Sequence, residues 1–306
     1  MRTAFIEALT ELAGRDPRIM LIVGDLGFGV VMGFAERFPK QFLNPGVAEQ
    51  NMTGIAAGMA LCGRVCFTYS IANFPTLRPL EQIRNDVCYH NANVKIVSVG
   101  GGMAYGALGM THFATEDIAI LRSLPNMVVV APGDPYEARC ATRAAAAREG
   151  PVYLRLGRAG EPKVHAEPVP FELGKAIRLR QGDDVTLIST GGMLKSTMDA
   201  ADRLAADGVD ATVLSMHTVK PIDADAIAEA AETTRALVTI EEHSILGGLG
   251  GAVAEIVSDL NPAGVRLRRL GLPSEFPKGV GGQVHMRELY GLSAEKLADS
   301  VRAFLG

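Results

Sequence analysis

One acidic residue, Glu49, stands at the start of an apolar segment of small residues, and its position gives it two possible roles. Pro45 and Gly46 fit a turn before the segment, so Glu49 is predicted to lie in the first turn of a helix. There the helix dipole stabilises a carboxylate by about 0.3–1 kcal/mol. The other role is chemical, because apolar surroundings disfavour the charged form of a carboxyl group and suit it for exchanging a proton with a ligand. Small residues at 54–58 also predict that a neighbouring element packs very close.

A histidine, His112, lies in a polar segment after a glycine-rich stretch. Imidazole titrates near neutral pH, so it can pass protons to and from a carbonyl or alkoxide, although a lone histidine equally suits a structural role. With Glu116 and Asp117 it also offers side chains of the kinds that bind metals. A complete metal site would need a second cluster of ligands, and the sequence shows none. We therefore predict no metal site on this chain.

Two glycine-rich segments follow predicted strands, at 100–109 and 247–251. Neither has the spacing Gly-x-Gly-x-x-Gly or Gly-x-x-x-x-Gly-Lys-Ser/Thr, so neither a Rossmann dinucleotide site nor a P-loop is indicated. The second segment follows Glu241, Glu242 and His243 and leads into a helix. A loop of that kind is able to hold an anion at the helix N-terminus.

Composition excludes several classes of protein. The chain has 306 residues, of which 48% are apolar and 21% charged, as in ordinary globular proteins. A net charge of −4 without a cluster of Lys and Arg argues against nucleic-acid binding. Four cysteines without a Cys-x-x-Cys pair indicate reduced thiols and hence the cytoplasm. The first residues form an amphipathic helix with acids rather than a signal peptide, and no apolar window approaches about 18 residues, so no membrane segment is expected.

Strands and helices alternate along the chain, which predicts an α/β fold with parallel sheets covered on both faces. We predict two three-layer α/β/α domains, at residues 1–160 and 175–306, joined by a proline-rich linker at 161–174. In such sheets, ligands bind at loops that follow the carboxyl ends of strands. Asp25 comes directly after the first strand, so it is predicted either to face a ligand or to be only part of a turn. The strands are expected at 19–23, 64–69, 94–99, 127–134 with its turn, 151–158, 184–189, 210–215, 236–240 and 265–270.

The segment Asn44-Pro-Gly-Val-Ala-Glu-Gln-Asn-Met52 resembles the Gly-Ile-Ala-Glu-Gln segment of transketolases and deoxyxylulose-phosphate synthases, which are thiamine-diphosphate enzymes. The resemblance implies a pyrimidine-binding domain followed by a transketolase C-terminal-like domain. It covers the C-terminal third more weakly. Further matching motifs are Tyr69-Ser70, Gln82 to Asp86, Gly109 to His112, Leu121 to Asn126 and Ala131 to Asp134.

The resemblance assigns cofactor contacts to four residues. Glu49 contacts the aminopyrimidine ring of thiamine diphosphate and favours its imino form, which then takes the proton from the thiazolium carbon. Asp25 lies near the thiazolium side. Phe74, in a loop at 70–78, is the candidate for stacking on the aminopyrimidine, unless it only fills the core. Arg78 ends the same loop and is a further candidate for cofactor binding.

The resemblance also places His112 toward the substrate and leaves Arg158 and Arg155 to bind an anionic group. An arginine fork suits phosphate, sulfonate and carboxylate equally well. Leu108 stands where transketolases carry an acidic residue that recognises a substrate hydroxyl. We therefore do not assume that the substrate is a sugar phosphate. Glycines also replace the polar or basic groups expected at Gly29 and at Gly100 to Gly102.

Transketolases have a further N-terminal domain that binds the diphosphate through Mg²⁺ with a Gly-Asp-Gly motif. Gly24-Asp25-Leu26 is not that motif, and a diphosphate needs a metal with oxygen ligands to balance its charge. We therefore expect a C-terminal subunit of a split transketolase-like enzyme, which moves a two-carbon ketol unit from a ketose to an aldehyde. A partner subunit would carry the Mg²⁺ ligands, and a symmetric heterotetramer is the expected assembly. The resemblance gives Glu241, Glu242 and His243 a structural role at subunit contacts.

Two other functions remain open from the sequence. The chain could be the beta subunit of a thiamine-diphosphate 2-oxoacid dehydrogenase, which lipoyl-bearing proteins would accompany. It could also be a non-catalytic homologue with a binding role. The residues around Glu49 and the segment 121–126 look more like transketolases, and the presence of both Glu49 and His112 favours an enzyme.

Overall fold

The computed structural model describes residues 1–262 and 264–306, which form two β-sheets with helices on both faces. The strands are β1 (Ile19–Val23), β2 (Phe42–Leu43), β3 (Val65–Ile71), β4 (Val94–Val99), β5 (Val128–Val130), β6 (Val152–Leu156), β7 (Ile177–Arg180), β8 (Val185–Ser189), β9 (Ala211–Ser215), β10 (Thr218–Lys220), β11 (Ala236–Ser244) and β12 (Arg266–Leu272). The helices are α1 (Arg2–Ala13), α2 (Met32–Arg37), α3 (Glu49–Leu61), α4 (Phe74–Leu77), α5 (Leu80–Gln82), α6 (Asp117–Arg122), α7 (Pro135–Ala147), α8 (Leu194–Ala206), α9 (Ala224–Thr233), α10 (Leu249–Leu260), α11 (Gln283–Leu289) and α12 (Ala294–Leu305).

The first sheet has seven strands in the order β10-β5-β6-β4-β3-β1-β2. All its pairings are parallel except that of β10 with β5. Strands β1, β4, β5 and β6 are buried along their whole length, and β1 and β5 are accordingly continuous apolar runs, whereas β4 and β6 contain the buried cations Lys95 and Arg155. Helices α1 and α7 cover one face of the sheet, and α3 with the segment Ile83–Tyr89 covers the other.

The second sheet has five strands in the order β12-β11-β8-β9-β7. Only β7 runs antiparallel, against β9 at one edge. Helices α8 and α12 pack on one face, and α9 and α10 pack on the other. Two layered α/β/α units therefore follow each other along the chain, and the predicted fold class is confirmed. Within the described residues, no helix is both long enough and apolar enough to cross a membrane.

Several elements differ from the prediction. The short strand β10 comes from the C-terminal half of the chain but completes the first sheet beside β5. Three residues are too few to show a hydrophobic period, so no local pattern indicates this strand. The loop expected at 70–78 contains the helical turn α4, and the helical segment after it is divided into α5 and a π-helical segment, Ile83–Tyr89. A π-helical turn often marks a functional region.

The topology brings several loops together at one edge. Strands β1, β3, β4 and β6 are adjacent and parallel, so the segments that follow them meet at their carboxyl ends. These segments begin at residues 24, 72, 100 and 157, and the start of α3 lies beside the first of them because Gly24 packs near Glu49. This edge is where an α/β sheet binds its ligands.

Candidate active site

Glu49 is the first residue of α3, as predicted, and it is only 4% exposed. Its two carboxylate oxygens each accept a hydrogen bond of 2.9 Å from Nη1 of Arg78. Gly24 lies beside it, since a Cβ at that glycine would come within 3.8 Å of Oε1 of Glu49. The sequence predicted apolar neighbours on both sides of Glu49. The structure adds a cation, which compensates much of the cost of burying a carboxylate.

Phe74 starts the short helix α4 and is half-buried. It belongs to none of the buried apolar clusters of the described residues, so it does not fill the core. The guanidinium carbon of Arg78 lies 4.0 Å from the centroid of the Phe74 ring. The side-chain amide of Gln50 donates to the backbone carbonyl of Arg78 at 3.3 Å, which ties α3 to this loop. Phe74 and Glu49 are therefore linked through one side chain, Arg78.

His112 lies next to this pair. Its ring is half-buried and meets the Phe74 ring edge-on, with 5.2 Å between the centroids. Its Nδ1 lies 3.0 Å from the hydroxyl of Thr111. On the other side of His112 the Tyr105 ring also meets it edge-on, with 6.4 Å between the two ring centroids. The structure thus brings His112 beside Phe74, and the substrate-facing role of the histidine stays a prediction.

The two arginine candidates occupy very different places. Arg158 is exposed, and its guanidinium carbon lies 5.3 Å from the centroid of the Tyr105 ring. Arg155 is only 5% exposed. Its Nε donates to Asp117 at 2.7 Å, and its Nη2 donates to backbone carbonyls of Ala114 and Glu242 at 2.7 and 3.0 Å. These bonds hold Arg155 within the fold, whereas Arg158 is the arginine at the open edge, and the anion-binding role of both stays a prediction.

Asp25 is exposed and has a positive φ of 53°, which is unusual for a residue other than glycine. Asn44 stabilises this conformation, since its side-chain amide donates to Oδ1 of Asp25 at 2.9 Å and its Oδ1 accepts from the backbone N–H at 3.1 Å. The same Oδ1 accepts from the N–H of Gly46 at 3.1 Å. Asp25 therefore holds a turn at the edge of the site and makes no direct contact with Glu49. Sequence reasoning did not single out Asn44, although it opens the motif that contains Glu49.

The glycine-rich loop after β4 gives space to neighbouring side chains. Gly100 has φ of 93°, and a Cβ there would overlap the ring of Tyr105. Gly102 has φ of 67°, and a Cβ there would lie 2.6 Å from the carboxylate of Glu242. Glycine is thus required at both positions for conformation and for space. Tyr105, which stands between His112 and Arg158, was missed, although it is the only aromatic residue of the loop 100–109.

Glu241 and Glu242 have structural roles within the chain. Glu241 is buried and accepts hydrogen bonds from the N–H groups of Leu249 and Gly250 at 2.7 and 2.8 Å. The carboxylate of Glu241 thus occupies the N-terminus of α10, where the sequence suggested a site for a bound anion. Burial raises the pKa of Glu241 to about 7. Glu242 accepts from the N–H of Met103 at 2.6 Å and is also bonded by Gln283 and Arg287, so it joins the two layered units.

In the described part of the chain, no group of three or more His, Cys, Asp or Glu side chains is placed to hold a metal ion. Asp117 was one of the two possible metal ligands considered with His112. It is buried and bound instead by Arg155 and by the Tyr153 hydroxyl. His243 is also buried, and burial lowers its pKa.

The site residues make one continuous line of contacts along the edge of the first sheet. A buried carboxylate at one end and a half-buried aromatic face beside it fit the aminopyrimidine part of a thiamine cofactor, which has N–H groups and a flat ring. In order, the line runs Glu49, Arg78, Phe74, His112, Tyr105 and Arg158.

Comparison with known proteins identifies the same two units. Residues 1–161 match the family model "Transketolase, pyrimidine binding domain", and residues 174–297 match "Transketolase, C-terminal domain". The chain is 40% identical to a subunit of the apulose-4-phosphate transketolase of Phocaeicola vulgatus, over 99% of this chain and 97% of the relative. It is 39% identical to the 6-deoxy-6-sulfo-D-fructose transketolase subunit SqwH of Clostridium sp. (strain MSTE9), over 97% of this chain and 92% of the relative.

A solved structure, a split gene transketolase in an inactive beta4 tetramer, superposes with a TM-score of 0.90 at 39% identity, covering 99% of this chain and 97% of that chain. The two sequence relatives are named as subunits, and this chain spans them almost completely. These relatives support the transketolase interpretation over that of a 2-oxoacid dehydrogenase. The chain therefore belongs to the transketolase family, whose members use thiamine diphosphate, and is the C-terminal subunit of a split transketolase, a transferase that acts with a partner subunit.

Proposed function

We propose that this chain and its partner subunit transfer a two-carbon ketol unit from an anionic ketose to an aldehyde acceptor. The observation that carries the proposal is the line of contacts from Glu49 to Arg158 at the carboxyl ends of β1, β3, β4 and β6. It sets a buried carboxylate, an aromatic face, an imidazole and a cation beside one another. Those are the groups that a cofactor and a sugar with an anionic end would need.

The cofactor end of the line is Glu49 with Phe74. Thiamine diphosphate, when bound, supplies a carbon nucleophile and an electron sink for the two-carbon unit. Glu49 accepts a hydrogen bond from the aminopyrimidine ring and exchanges a proton with it at the carboxylate. Phe74 offers its half-exposed face to the same ring, and Asp25 maintains the turn beside it. Because the described residues hold no metal cluster, the Mg²⁺ ligands are assigned to the partner subunit.

The substrate end of the line is His112 with Arg158. His112 is positioned to hold or move a proton at the substrate carbonyl or alkoxide. Arg158 is exposed and lies over Tyr105, so its guanidinium is open to an anionic group. Two relatives support an anionic ketose, because their names specify a sugar phosphate and a sulfosugar. Leu108 is 56% exposed and offers no hydrogen bond to a sugar hydroxyl.

The surface of α3 supports assembly with other subunits. Nothing lies within 4 Å of a Cβ built at Gly54 or at Gly58, so the close neighbour predicted from these small residues is not part of the described chain. A second subunit would supply it, and a symmetric heterotetramer of two copies of each chain satisfies this need. The four cysteines are unpaired, which fits a reducing cytoplasm.

Purification of the tagged chain from its source organism tests this proposal. We expect mass spectrometry to find a companion of similar size, in equal amount, that carries the Gly-Asp-Gly metal–diphosphate motif. The assembly should bind thiamine diphosphate with Mg²⁺ and turn over anionic ketoses. A chain that purifies alone and binds no cofactor would contradict the proposal, and so would lipoyl-bearing companions, which indicate a 2-oxoacid dehydrogenase.

A further inference from the structure

The guanidinium group of Arg78 contacts both groups that the proposed function assigns to the cofactor's aminopyrimidine. Its Nη1 donates to both carboxylate oxygens of Glu49 at 2.9 Å, and its Cζ lies 4.0 Å from the Phe74 centroid. We propose that Arg78 competes with the aminopyrimidine for Glu49 and Phe74 and swings away when thiamine diphosphate binds. This inference rests on the proposed function and adds a residue that controls access to the cofactor site.

The competition follows from shape and chemistry. A guanidinium and an aminopyrimidine are both flat groups with N–H donors at the edge, and both match a carboxylate beside an aromatic face. Arg78 uses both oxygens of Glu49 and covers the Phe74 ring at the same time. A second flat group cannot make the same two contacts until Arg78 leaves them.

The exposed fractions of the Arg78 and Glu49 side chains indicate which of the two is able to move. The Arg78 side chain is 46% exposed, whereas that of Glu49 is 3% exposed. Arg78 and Glu49 also line an open pocket of about 490 Å³, which gives the long arginine side chain room to turn outward. The bond from Gln50 to the Arg78 carbonyl, at 3.3 Å, holds the backbone while the side chain moves. The carboxylate is the fixed element, and the guanidinium is the mobile one.

The closed arrangement has a thermodynamic consequence. Arg78 compensates a buried charge, so the closed state is favoured before the cofactor arrives. The apparent dissociation constant of the cofactor is then the intrinsic constant divided by the fraction of molecules in which Arg78 has already left. Removing the competitor should therefore tighten binding. Electrostatics alone predicts the opposite, because the substitution removes a positive charge near an anionic cofactor.

The test is calorimetric titration of Mg²⁺–thiamine diphosphate into the assembly of this chain with the companion that co-purifies. Arg78→Gln is compared with wild type and with Arg84→Gln, a matched loss of charge at an exposed arginine that bonds to Asn85 at 2.8 Å. We expect the dissociation constant of Arg78→Gln to fall on the order of tenfold. That of Arg84→Gln should stay within about twofold of wild type, since it does not touch Glu49. Arg78→Lys, which keeps the ion pair but has no flat group to stack, should lie between Arg78→Gln and wild type.

The possible outcomes distinguish a failure of this inference from a failure of the proposed function. Equal or weaker binding by Arg78→Gln, with wild-type binding intact, overturns the competition and leaves the proposed function standing. An assembly in which neither wild type nor any variant binds the cofactor overturns both. If Arg78→Gln does not co-purify with the companion, Arg78→Lys decides, and binding no tighter than wild type counts against the competition.

Discussion

Arg78 and Glu49, 29 positions apart in the sequence, form an ion pair in which a half-exposed guanidinium closes over an almost fully buried carboxylate. An unpaired carboxylate in that position would carry a large desolvation cost. The pair therefore explains how an acid is tolerated at the start of the apolar helix α3. It also means that Glu49 exchanges one partner for another when the cofactor binds.

His112→Asn should reduce turnover without weakening cofactor binding. The imidazole centroid lies 5.2 Å from that of Phe74, and we propose that it exchanges a proton with the substrate, which the substitution would remove. We expect kcat to fall roughly 10²–10⁴-fold, the usual contribution of a general acid or base. Steady-state kinetics and cofactor titration of the assembled enzyme measure both effects.

Thr111→Val is the matched control for His112, because it removes only the hydroxyl that lies 3.0 Å from Nδ1. Its effect on kcat should be less than about tenfold, as expected for the loss of one exposed hydrogen bond. A His112→Asn enzyme with normal kcat would show that the histidine is structural.

Arg158→Gln should impair the use of charged donors selectively. The guanidinium is exposed above Tyr105, where it can bind a phosphate or sulfonate end. Losing a charged hydrogen bond worth about 1.5–3 kcal/mol should raise KM for an anionic ketose roughly 10–100-fold. The comparison is a set of KM values for one ketose with and without its anionic group.

Arg158→Lys should lose less of this selectivity than Arg158→Gln, because the charge remains while the fork is lost. Both variants should match wild type on the uncharged donor. If charged and uncharged donors suffered equally, Arg158 would not be the anion-binding residue.

Glu241→Gln should change how stability depends on pH. Burial raises the pKa of Glu241 from 4.5 to about 7, so the folded protein retains a proton that the unfolded chain releases in this range. Its contribution to stability is fully present below pH 4.5 and is lost as pH rises toward 7. The loss is on the order of a few kcal/mol. Glutamine does not titrate, so the variant should lack this decline.

Chemical denaturation of wild type and Glu241→Gln at pH 5 and at pH 8 measures the difference. The free energy of unfolding of wild type should fall more between the two values than that of the variant. Parallel pH dependences would mean that Glu241 keeps an ordinary acidity in the folded protein.

Features with strong local signals were predicted well from the sequence. Helix α3 begins at Glu49, in agreement with the prediction from the Pro-Gly turn that this residue lies in the first turn of a helix. The transketolase resemblance is confirmed by the two domains and the relatives. The functional roles of all the site residues remain predictions, namely those of Asp25, Glu49, Phe74, Arg78, His112, Arg155 and Arg158.

The features that could not be predicted from the sequence depend on contacts between residues far apart in the chain. Nothing local shows that Arg155 is buried against Asp117, since an arginine at a strand end looks equally suited to a ligand. The glycines at 100–102 suggested lost binding groups, yet Gly100 and Gly102 leave space for Tyr105 and Glu242. Strand β10 pairs with β5, which lies far away in the sequence, and is too short to show a period.

Turnover by Glu49→Gln, assembled with the partner subunit, tests the central claim most directly. Glutamine keeps the size of the side chain and can still form hydrogen bonds, but it cannot exchange a proton. We expect a variant that folds and assembles normally, with kcat lowered roughly 10²–10⁴-fold. A kcat close to that of wild type would contradict the assignment of Glu49 as the residue that activates the cofactor.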